Sequence, residues 1–406
     1  MTAIVGNVPV MRRSALFSPY ELNAGGGERY LLAMASVLQR YGHVELLAPE
    51  VYSELRVDQV ARDLGVRLRR RLRVGKFPVH GAPAPYDFFV AMGNEAFPPV
   101  PGLGRVNIFM CQFPFPQSRM ERATHRPHDA RYHRIIVNSE YTRRALLSAR
   151  RHLGITRSEV SVVNPPCRVP DAAPAARAFD GVVRIASVGR FFTSGHAKRQ
   201  DLMIAALRRL VRDNRGPTRY ELHLVGTASV KWGSREYLDS LEKRAAGLPV
   251  VLHVNATEGR LREVLDRADI YWHATGLGAS ARRHPERLEH FGISVVEAMG
   301  AGCVPIVFRG GGLLEIVAAG RTGYTFGSIS ELVAASRQHA AIVAGDPEQT
   351  MTWRRTVWED SRRFSEAAFA DAFIRVVDEL EAKGDHAPSS ATVPTTAGET
   401  AATRFR

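Results

Sequence analysis

Two glutamates, Glu289 and Glu297, have residue types and a spacing that could do chemistry, since seven residues separate them. The pattern between them predicts a glycine-bearing turn and then a helix that carries the second carboxylate one turn in. Carboxylates accept hydrogen bonds from the hydroxyl groups of a sugar or a ribose. The backbone N–H groups of Phe291, Gly292 and Ile293 open this helix and favour an anion or a hydroxyl beyond it. The stretch therefore indicates a site for a nucleotide-sugar.

Three cations, Arg190, Lys198 and Arg199, lie about a hundred residues upstream, where a predicted strand ends and a helix begins near Asp201. Such cations can neutralise a diphosphate, and arginine can do so with two parallel hydrogen bonds. Solvated surface cations are the alternative interpretation. Because this junction and the two-glutamate stretch would both lie at the carboxyl edge of one sheet, a shared ligand is favoured.

A third glycine-rich segment, Gly25-Gly26-Gly27, follows the first predicted strand. Glycines allow a ligand to approach the backbone closely, and a helix start favours an anion. Neither a Walker loop nor a dinucleotide-binding fingerprint is present, and a simple turn is the alternative. The chain also lacks an Asp-x-Asp pair, the usual holder of a diphosphate-bound metal. We therefore expect no metal, with Arg190 and Lys198 taking that role.

The composition is that of a globular protein, with 45% hydrophobic and 24% charged residues among 406, a length that favours two or three domains. The three cysteines are scattered, which argues against a disulfide framework and fits a reducing compartment. The N-terminus lacks a signal-peptide pattern, and no apolar run reaches the ~20 residues of a membrane helix. These features predict a cytoplasmic protein.

The net charge of +14 is concentrated most densely in an arginine run, Arg67 to Arg73. Nucleic acid, an anionic membrane surface and phosphate-bearing substrates are the partners that such a charge allows. The alternating pattern from Val66 to Val74 also fits a solvated edge strand protected by charge. No nucleic-acid-binding motif accompanies the charge, so no specific nucleic acid is expected, whereas peripheral contact with an anionic membrane stays open.

Short apolar runs alternate with amphipathic stretches along the chain, and this rhythm restarts after a proline-rich break. The pattern predicts an α/β protein with two doubly wound, Rossmann-like domains that face each other across a cleft. The predicted segments are a first domain at residues 1–165, a linker at 166–182, a nucleotide-sugar-binding domain at 183–346, helices that pack back toward the first domain at 347–383, and a disordered tail at 384–406.

The motifs together resemble a known family. The run Gly-Gly-Gly-Glu-Arg at 25–29, Gly189-Arg190 with Lys198, and Glu289-His-Phe-Gly with the later Glu297 are similar to the motifs of retaining glycosyltransferases of the GT-B fold, family 4. The resemblance covers roughly residues 12–380, and it implies that the domain at residues 1–165 is the acceptor side. Within the family, the branch of Alg11-type mannosyltransferases has a similar Gly-Gly-Gly-Glu-Arg loop and a similar Glu-His-Phe-Gly stretch.

The resemblance implies a role for each matching position. Arg190 and Lys198 would bind the donor diphosphate, Glu297 would hold the nucleotide ribose, and Glu289 would contact the sugar hydroxyls beside the reacting carbon. The resemblance also implies backbone contacts to the sugar and phosphates from Phe291, Gly292 and Ile293. The glycines Gly25, Gly26 and Gly27 would approach the diphosphate from the other side of the cleft. The segment from Gly310 to Gly312, together with Glu315, would form a supporting loop.

Two positions depart from the family pattern. Gln112 stands in the region where many members have a histidine, so that role is either absent or taken by the glutamine. Arg199 follows Lys198 where a glycine is usual, which makes Arg199 a candidate to share the phosphate load. A loose cluster, His125, His128 and His133, is either a set of surface residues or a contact for the acceptor hydroxyl, and its spacing matches no zinc pattern.

The expected activity is transfer of a hexosyl group, mannosyl in the branch named, from a GDP-sugar or a UDP-sugar to an unidentified small-molecule, lipid-linked or glycan acceptor. No further cofactor is expected. The alternatives are a nucleotide-sugar epimerase or a phosphorylase of the same fold, a basic nucleic-acid-binding or membrane-binding module without catalysis, and an inactive scaffold. Interconversion of a UDP-sugar without an acceptor would indicate the epimerase, and salt-sensitive DNA binding would indicate the basic module.

Overall fold

The computed structural model describes residues 11–23, 25–77, 86–116, 123–193, 195–228 and 234–384. Its strands form two separate parallel sheets. The first sheet has the order β3-β2-β1-β4-β5-β6-β7 and the second has the order β10-β9-β8-β11-β12-β13. The strands are β1 (Arg12–Phe17), β2 (Gly42–Ala48), β3 (Arg73–Lys76), β4 (Tyr86–Gly93), β5 (Gly104–Cys111), β6 (Arg134–Val137), β7 (Val160–Val162), β8 (Val182–Val188), β9 (Arg219–Gly226), β10 (Val250–Val254), β11 (Ile270–His273), β12 (Val304–Phe308) and β13 (Tyr324–Phe326).

Helices alternate with the strands and lie on the sheet faces. They are α1 (Gly26–Leu38), α2 (Glu54–Asp63), α3 (Glu140–His152), α4 (Gln200–Arg212), α5 (Ser234–Ala245), α6 (Glu258–Arg267), α7 (Ile293–Gly300), α8 (Leu313–Ile316), α9 (Ile329–Gly345), α10 (Pro347–Ser361) and α11 (Glu366–Gly384). The predicted fold class, two doubly wound α/β units, is confirmed.

Both faces of the first sheet are covered by apolar packing. Neighbouring residues of a strand point to opposite faces, yet Phe88 and Phe89 of β4 are both completely buried, each in a different apolar cluster. Burial on both sides explains why the strands appear in the sequence as continuous apolar runs. The strand order reverses between β1 and β4 and again between β8 and β11, and ligands of such sheets lie at these reversal points.

The last helix, α11, joins the core of the first sheet although it ends the described chain. Phe369 and Phe373 pack in that core, and the Phe369 ring meets Tyr30 of α1 edge-on at 5.7 Å. Gly384 closes this helix, and the rest of the predicted tail lies outside the described residues. The exact segment boundaries predicted from the sequence stay predictions.

The structure corrects two local predictions. The edge strand β3 begins only at Arg73, and the preceding arginines form an irregular segment whose backbone is bound by the last turn of α1 and its C-cap, through Ser36 and Gln39. The side chain of Gln39 makes hydrogen bonds to the backbone of this segment, which a neighbouring strand would otherwise make. The predicted glycine loop is also shorter than expected, because Gly26 and Gly27 are already the first residues of α1.

Candidate active site

Lys198 and Glu289 meet at the carboxyl edge of the second sheet. Lys198 lies in the loop between β8 and α4, and its Nζ is 2.5 Å from Glu289 Oε2. Both side chains are largely buried, with 16% and 13% of their surfaces exposed. A methyl group on Gly189 would lie 2.4 Å from Lys198 Cγ, so a glycine is required for the lysine to cross this position. The predicted cation and carboxylate are therefore joined in one site.

Glu289 is ionised in this setting. Burial alone would raise the pKa of this carboxyl, but Lys198 and then His273 outweigh burial and lower the pKa well below its ordinary value. His273 ends β11 and is 2% exposed at its side chain, with Nε2 3.0 Å from Glu289 Oε2. The contact is not aligned as a regular hydrogen bond. A lysine and an imidazole thus face the same carboxylate oxygen.

His196 and Arg190 extend the cluster toward the open cleft. Arg190 is exposed, and its guanidinium lies over the ring of Phe192 at 5.1 Å. Burial lowers the pKa of His196 to about 3, with Lys198 adding to the effect and Arg190 contributing less. His196 is therefore neutral near pH 7. Fixed positive charge surrounds it, which suits a ligand that carries negative charge.

Arg190 also acts across the cleft on Glu28, which lies in the first turn of α1. Burial raises the pKa of Glu28, and the charge of Arg190 partly offsets this. The two predicted diphosphate-facing groups, Arg190 and the start of α1, thus lie on opposite sides of one gap. The helix dipole places positive potential at the α1 N-terminus, which adds to that of the cations.

Gly26 and Gly27, at the start of α1, allow side chains of both domains to approach the helix closely. A methyl group on Gly27 would lie 2.2 Å from Gln112 Nε2, and one on Gly26 would lie 3.3 Å from Ile293 Cδ1 of the second domain. Gln112 follows β5 and contacts Met92 Sδ at 2.8 Å. The side chain of Gln112 therefore lies against the N-terminus of α1, in the region where the family resemblance implied a histidine.

The α7 N-terminus completes the donor side. Gly292 caps this helix with φ 120°, a conformation that strongly favours glycine. The N–H groups of a first helical turn have no partner within the helix, so Ile293 opens a binding position for an anion or a hydroxyl. Phe291 itself is buried against Phe364 and contributes only its backbone to this edge.

Beside this helix, His290 joins the two domains. Its ring stacks on Phe113 of the first domain at 3.9 Å with an angle of 8°, and its carbonyl accepts a hydrogen bond from Ser139 Oγ at 2.6 Å. Burial lowers the pKa of His290 to about 4. The neutral ring donates from Nε2 to the carbonyl of Glu286 at 3.2 Å, which leaves Nδ1 as an acceptor.

The loop from Gly310 to Gly312 supports the same stretch. Gly312 N donates to the carbonyl of Glu289 at 2.8 Å. Glu315, which follows, accepts hydrogen bonds from the backbone of Glu140 at 2.8 Å and of Tyr141 at 2.6 Å. These are the first N–H groups of α3, so a carboxylate of the second domain caps a helix of the first.

Glu297, the residue expected at the ribose, forms an ion pair with Arg29 of α1. Arg29 belongs to the Gly-Gly-Gly-Glu-Arg run, but its own role was not anticipated. Neither was the role of His273 or His196, because a histidine at a strand end or in a loop has no distinguishing local pattern. The motif itself was the only available signal for Arg29.

Arg199 is not brought together with the phosphate-facing cations. Its backbone is left-handed with φ 58°, its guanidinium pairs with Asp201 at 3.1 Å, and it donates to the carbonyl of Leu277 at 2.7 Å. The guanidinium thus stabilises the loop before α4. The predicted share of the phosphate load has no support in this arrangement.

Two of the three histidines of the first domain lie together, since the rings of His125 and His128 stack at 5.9 Å, and each of the three makes a contact within that domain. His125 contacts Glu95, His128 Nδ1 lies 3.2 Å from the carbonyl of Pro98, and His133 Nδ1 accepts from the backbone of Asn107 at 3.0 Å. Within the described ranges, no three His, Cys, Asp or Glu side chains are grouped to hold a metal ion. No helix in the described part of the chain has the length and apolar character to cross a membrane.

Comparison with known proteins agrees with this geometry. Residues 173–339 match the family model of glycosyl transferases group 1. Residues 173–339, which include the second sheet and its carboxyl-edge cluster, thus form a glycosyl transferases group 1 domain, and the two-sheet fold of the chain is of the GT-B type.

Particular relatives refine the picture. The chain is 28% identical over 250 residues to a Xenopus laevis protein, GDP-Man:Man(3)GlcNAc(2)-PP-Dol alpha-1,2-mannosyltransferase, over 59% of this chain and 47% of the relative. The chain thus spans about half the length of the curated relatives it matches.

Solved structures are similar over nearly the whole chain. HepE of Anabaena, solved with UDP and glucose, has a TM-score of 0.61 at 14% identity, over 91% of this chain and all of that chain. A glycosyltransferase of Rickettsia africae has a TM-score of 0.67 at 12% identity, over 92% and 99%. At these identities the likeness shows the fold alone.

Proposed function

We propose that this protein is a glycosyltransferase that moves a hexosyl group, mannosyl as the leading candidate, from a nucleotide-diphosphate sugar to a hydroxyl acceptor. The supporting observation is the convergence of Lys198 and Glu289 at 2.5 Å, with Arg190 near the same gap. The relatives named for a GDP-mannose donor support mannosyl and GDP, while the UDP-bound neighbour keeps UDP open.

The site is suited to separating charge. Breaking the bond between the sugar and the diphosphate leaves negative charge on the leaving group and positive character on the sugar. Lys198 and Arg190 would stabilise the first, and the ionised Glu289 lies where it would hold the sugar hydroxyls beside the second. Retention of configuration follows from the resemblance to family 4 and is part of the proposal.

The proposed reaction needs no metal, since Arg190 and Lys198 supply the charge that a cation would otherwise bring. Release of nucleoside diphosphate from GDP-mannose, in excess EDTA, tests this together with the donor. We expect turnover to persist without added metal. Loss of turnover that Mn²⁺ or Mg²⁺ restores would overturn the metal-free mechanism while leaving the transfer reaction intact.

The acceptor is proposed to enter from the first domain, and the relatives named for a dolichol-linked acceptor favour a lipid-linked one. Such an acceptor would bring the protein to the inner face of a membrane as a peripheral protein. The exposed side chains Arg67, Arg69, Arg70, Arg71 and Arg73 support contact with anionic lipid. Cosedimentation with anionic but not neutral vesicles at physiological salt would support this, and equal behaviour with both would contradict it.

A further inference from the structure

Within the described part of the chain, the carboxylate of Glu297 is held through one of its two oxygens. Its Oε1 accepts hydrogen bonds from Arg29 Nη1 and, at 3.5 Å, from the backbone N–H of Arg168. Both contacts reach the same oxygen, which leaves Oε2 for a ligand. The Glu297 side chain keeps 18% of its surface exposed, so a group in the cleft can reach it.

Arg29 is fixed where it stands. Its side chain is 7% exposed, and among the described residues its Nε and Nη2 have no hydrogen-bond partner, although Nη2 lies 3.5 Å from Glu366. Moving a buried charge away from its counter-ion is costly, so the guanidinium stays with Glu297. It therefore fixes the rotation of the carboxylate as well as its charge.

The two residues come from different domains. Arg29 lies in the first turn of α1, and Glu297 lies in α7, 268 positions along the chain. The Gly26–Ile293 approach at 3.3 Å shows that the same two helices meet closely at their N-terminal ends. A contact of this kind exists only while the two sheets face each other at this separation.

We propose that Arg29 is a positioning residue for the nucleotide ribose, holding Glu297 Oε1 so that Oε2 faces the ribose hydroxyls. This role rests on the proposed function, since it requires a nucleotide donor at Glu297. It also means that the ribose site is complete only when the first domain closes on the second. Donor binding and domain closure are then coupled through one ion pair.

A purely structural ion pair makes a different prediction. If Arg29 only holds the domains together, its loss weakens every ligand of the cleft by the same factor. If it acts through Glu297 on the ribose, its loss is felt only by ligands that carry the ribose hydroxyls. Nucleotides with and without those hydroxyls separate the two roles.

The experiment is isothermal titration with GDP and UDP and with their 2′,3′-dideoxy forms. Wild type, Arg29→Met, Glu297→Gln and a matched control, Arg134→Met, are compared. Arg134 is buried to a similar extent, pairs with Glu379 of α11 much as Arg29 contacts Glu366, and lies at the amino edge of the first sheet. Circular dichroism checks that each variant is folded.

We expect wild type to bind the ribonucleotide roughly tenfold more tightly than the dideoxy form, the effect of one or two hydrogen bonds to a charged group. Arg29→Met and Glu297→Gln should each lose most of that difference and bind the dideoxy form like wild type. Arg134→Met should keep it. If Arg29→Met fails to fold, Arg29→Lys replaces it and should show a smaller loss confined to the ribonucleotide.

Three results would overturn the inference. Equal weakening of both nucleotides in the Arg29 variants would make the ion pair purely structural. Equal wild-type affinity for the ribonucleotide and its dideoxy form would remove Glu297 from the ribose. Absence of binding of GDP and UDP to wild type would sink the proposed function itself, a pattern distinct from the other two.

Discussion

Lys198 Nζ lies 2.5 Å from Glu289 Oε2, although the two residues are 91 positions apart in the chain. The contact joins a group suited to the leaving diphosphate with a group suited to the sugar. One ligand that reaches both would be an activated sugar, with its diphosphate beside the lysine and its sugar beside the glutamate. The predictions below follow from this juxtaposition.

Lys198→Ala should lower donor turnover by about 10²–10³, because one fixed donor is removed from developing negative charge. The measurement is release of nucleoside diphosphate from the nucleotide-sugar. Lys243→Ala, at an exposed lysine on α5, is the matched control and should behave like wild type. Wild-type turnover in Lys198→Ala would remove the lysine from the diphosphate site.

His273→Phe should lower turnover roughly tenfold, since the buried carboxylate of Glu289 loses the polar imidazole that faces it, an effect of ~1–2 kcal/mol. His273→Gln keeps an N–H group near Glu289 and should recover part of the loss. The change should appear in kcat more than in KM. Equal losses in both variants would indicate that the ring acts by packing alone.

Glu315→Ala should destabilise the protein by about 1–2 kcal/mol, because two N–H groups in the first turn of α3 lose their acceptor and a contact between the domains is removed. Urea unfolding gives the free energy, and Glu359→Ala, at an exposed glutamate of α10, is the control. KM for the donor should rise as well, since the cleft is held less firmly. An unchanged midpoint with an unchanged KM would contradict the capping role.

Acid should destabilise the protein through buried neutral imidazoles. Burial lowers the pKa of His196 to about 3 and of His290 and His339 to about 4. In the unfolded chain these groups titrate near ~6.5, so the unfolded state binds more protons between ~4 and ~6.5. The free energy of unfolding is therefore highest above ~6.5 and decreases as the pH falls toward 4.

His339→Phe isolates this effect away from the cleft. His339 is 1% exposed among the rings of Tyr324 and Trp353, so phenylalanine can replace it by shape. The variant should show a shallower decline of unfolding free energy between pH 6.5 and 4 than wild type. Thr352→Ala, at an exposed threonine of α10 that does not titrate, is the control and should leave the slope unchanged. An unaltered slope in His339→Phe would show that this imidazole is not held neutral.

The sequence predicted the fold because its signals are local. Buried parallel strands give continuous apolar runs such as β4, and the proline-rich break before β8 separates two repeats of one rhythm. The same logic placed Arg190, Lys198 and Glu289 on one sheet edge, since each follows a predicted strand. Lys198 follows β8 and Glu289 follows β11, and these two strands are neighbours in the second sheet, so the two side chains can meet at its carboxyl edge.

Other parts of the site depend on contacts that no local pattern encodes. Arg29 reaches Glu297 through the packing of two domains, and His273 reaches Glu289 only because β11 ends beneath it. The edge-strand prediction from Val66 was wrong for a similar reason, since Gln39 of another element satisfies the backbone there. The contact of Arg199 with its acidic neighbour, Asp201, was likewise not predicted, and its share in binding phosphate stays a prediction.

Nucleotide binding to wild type and Arg190→Ala tests the central claim most directly. Thermal and urea unfolding are followed with GDP, UDP and their sugars, with Arg355→Ala as an exposed control arginine. One of these nucleotides at a hundred times its dissociation constant should stabilise wild type and the control by ~2.7 kcal/mol, and Arg190→Ala by clearly less at the same concentration. No stabilisation of wild type by any of them, or equal stabilisation of Arg190→Ala, would contradict an activated sugar bound between the two sheets.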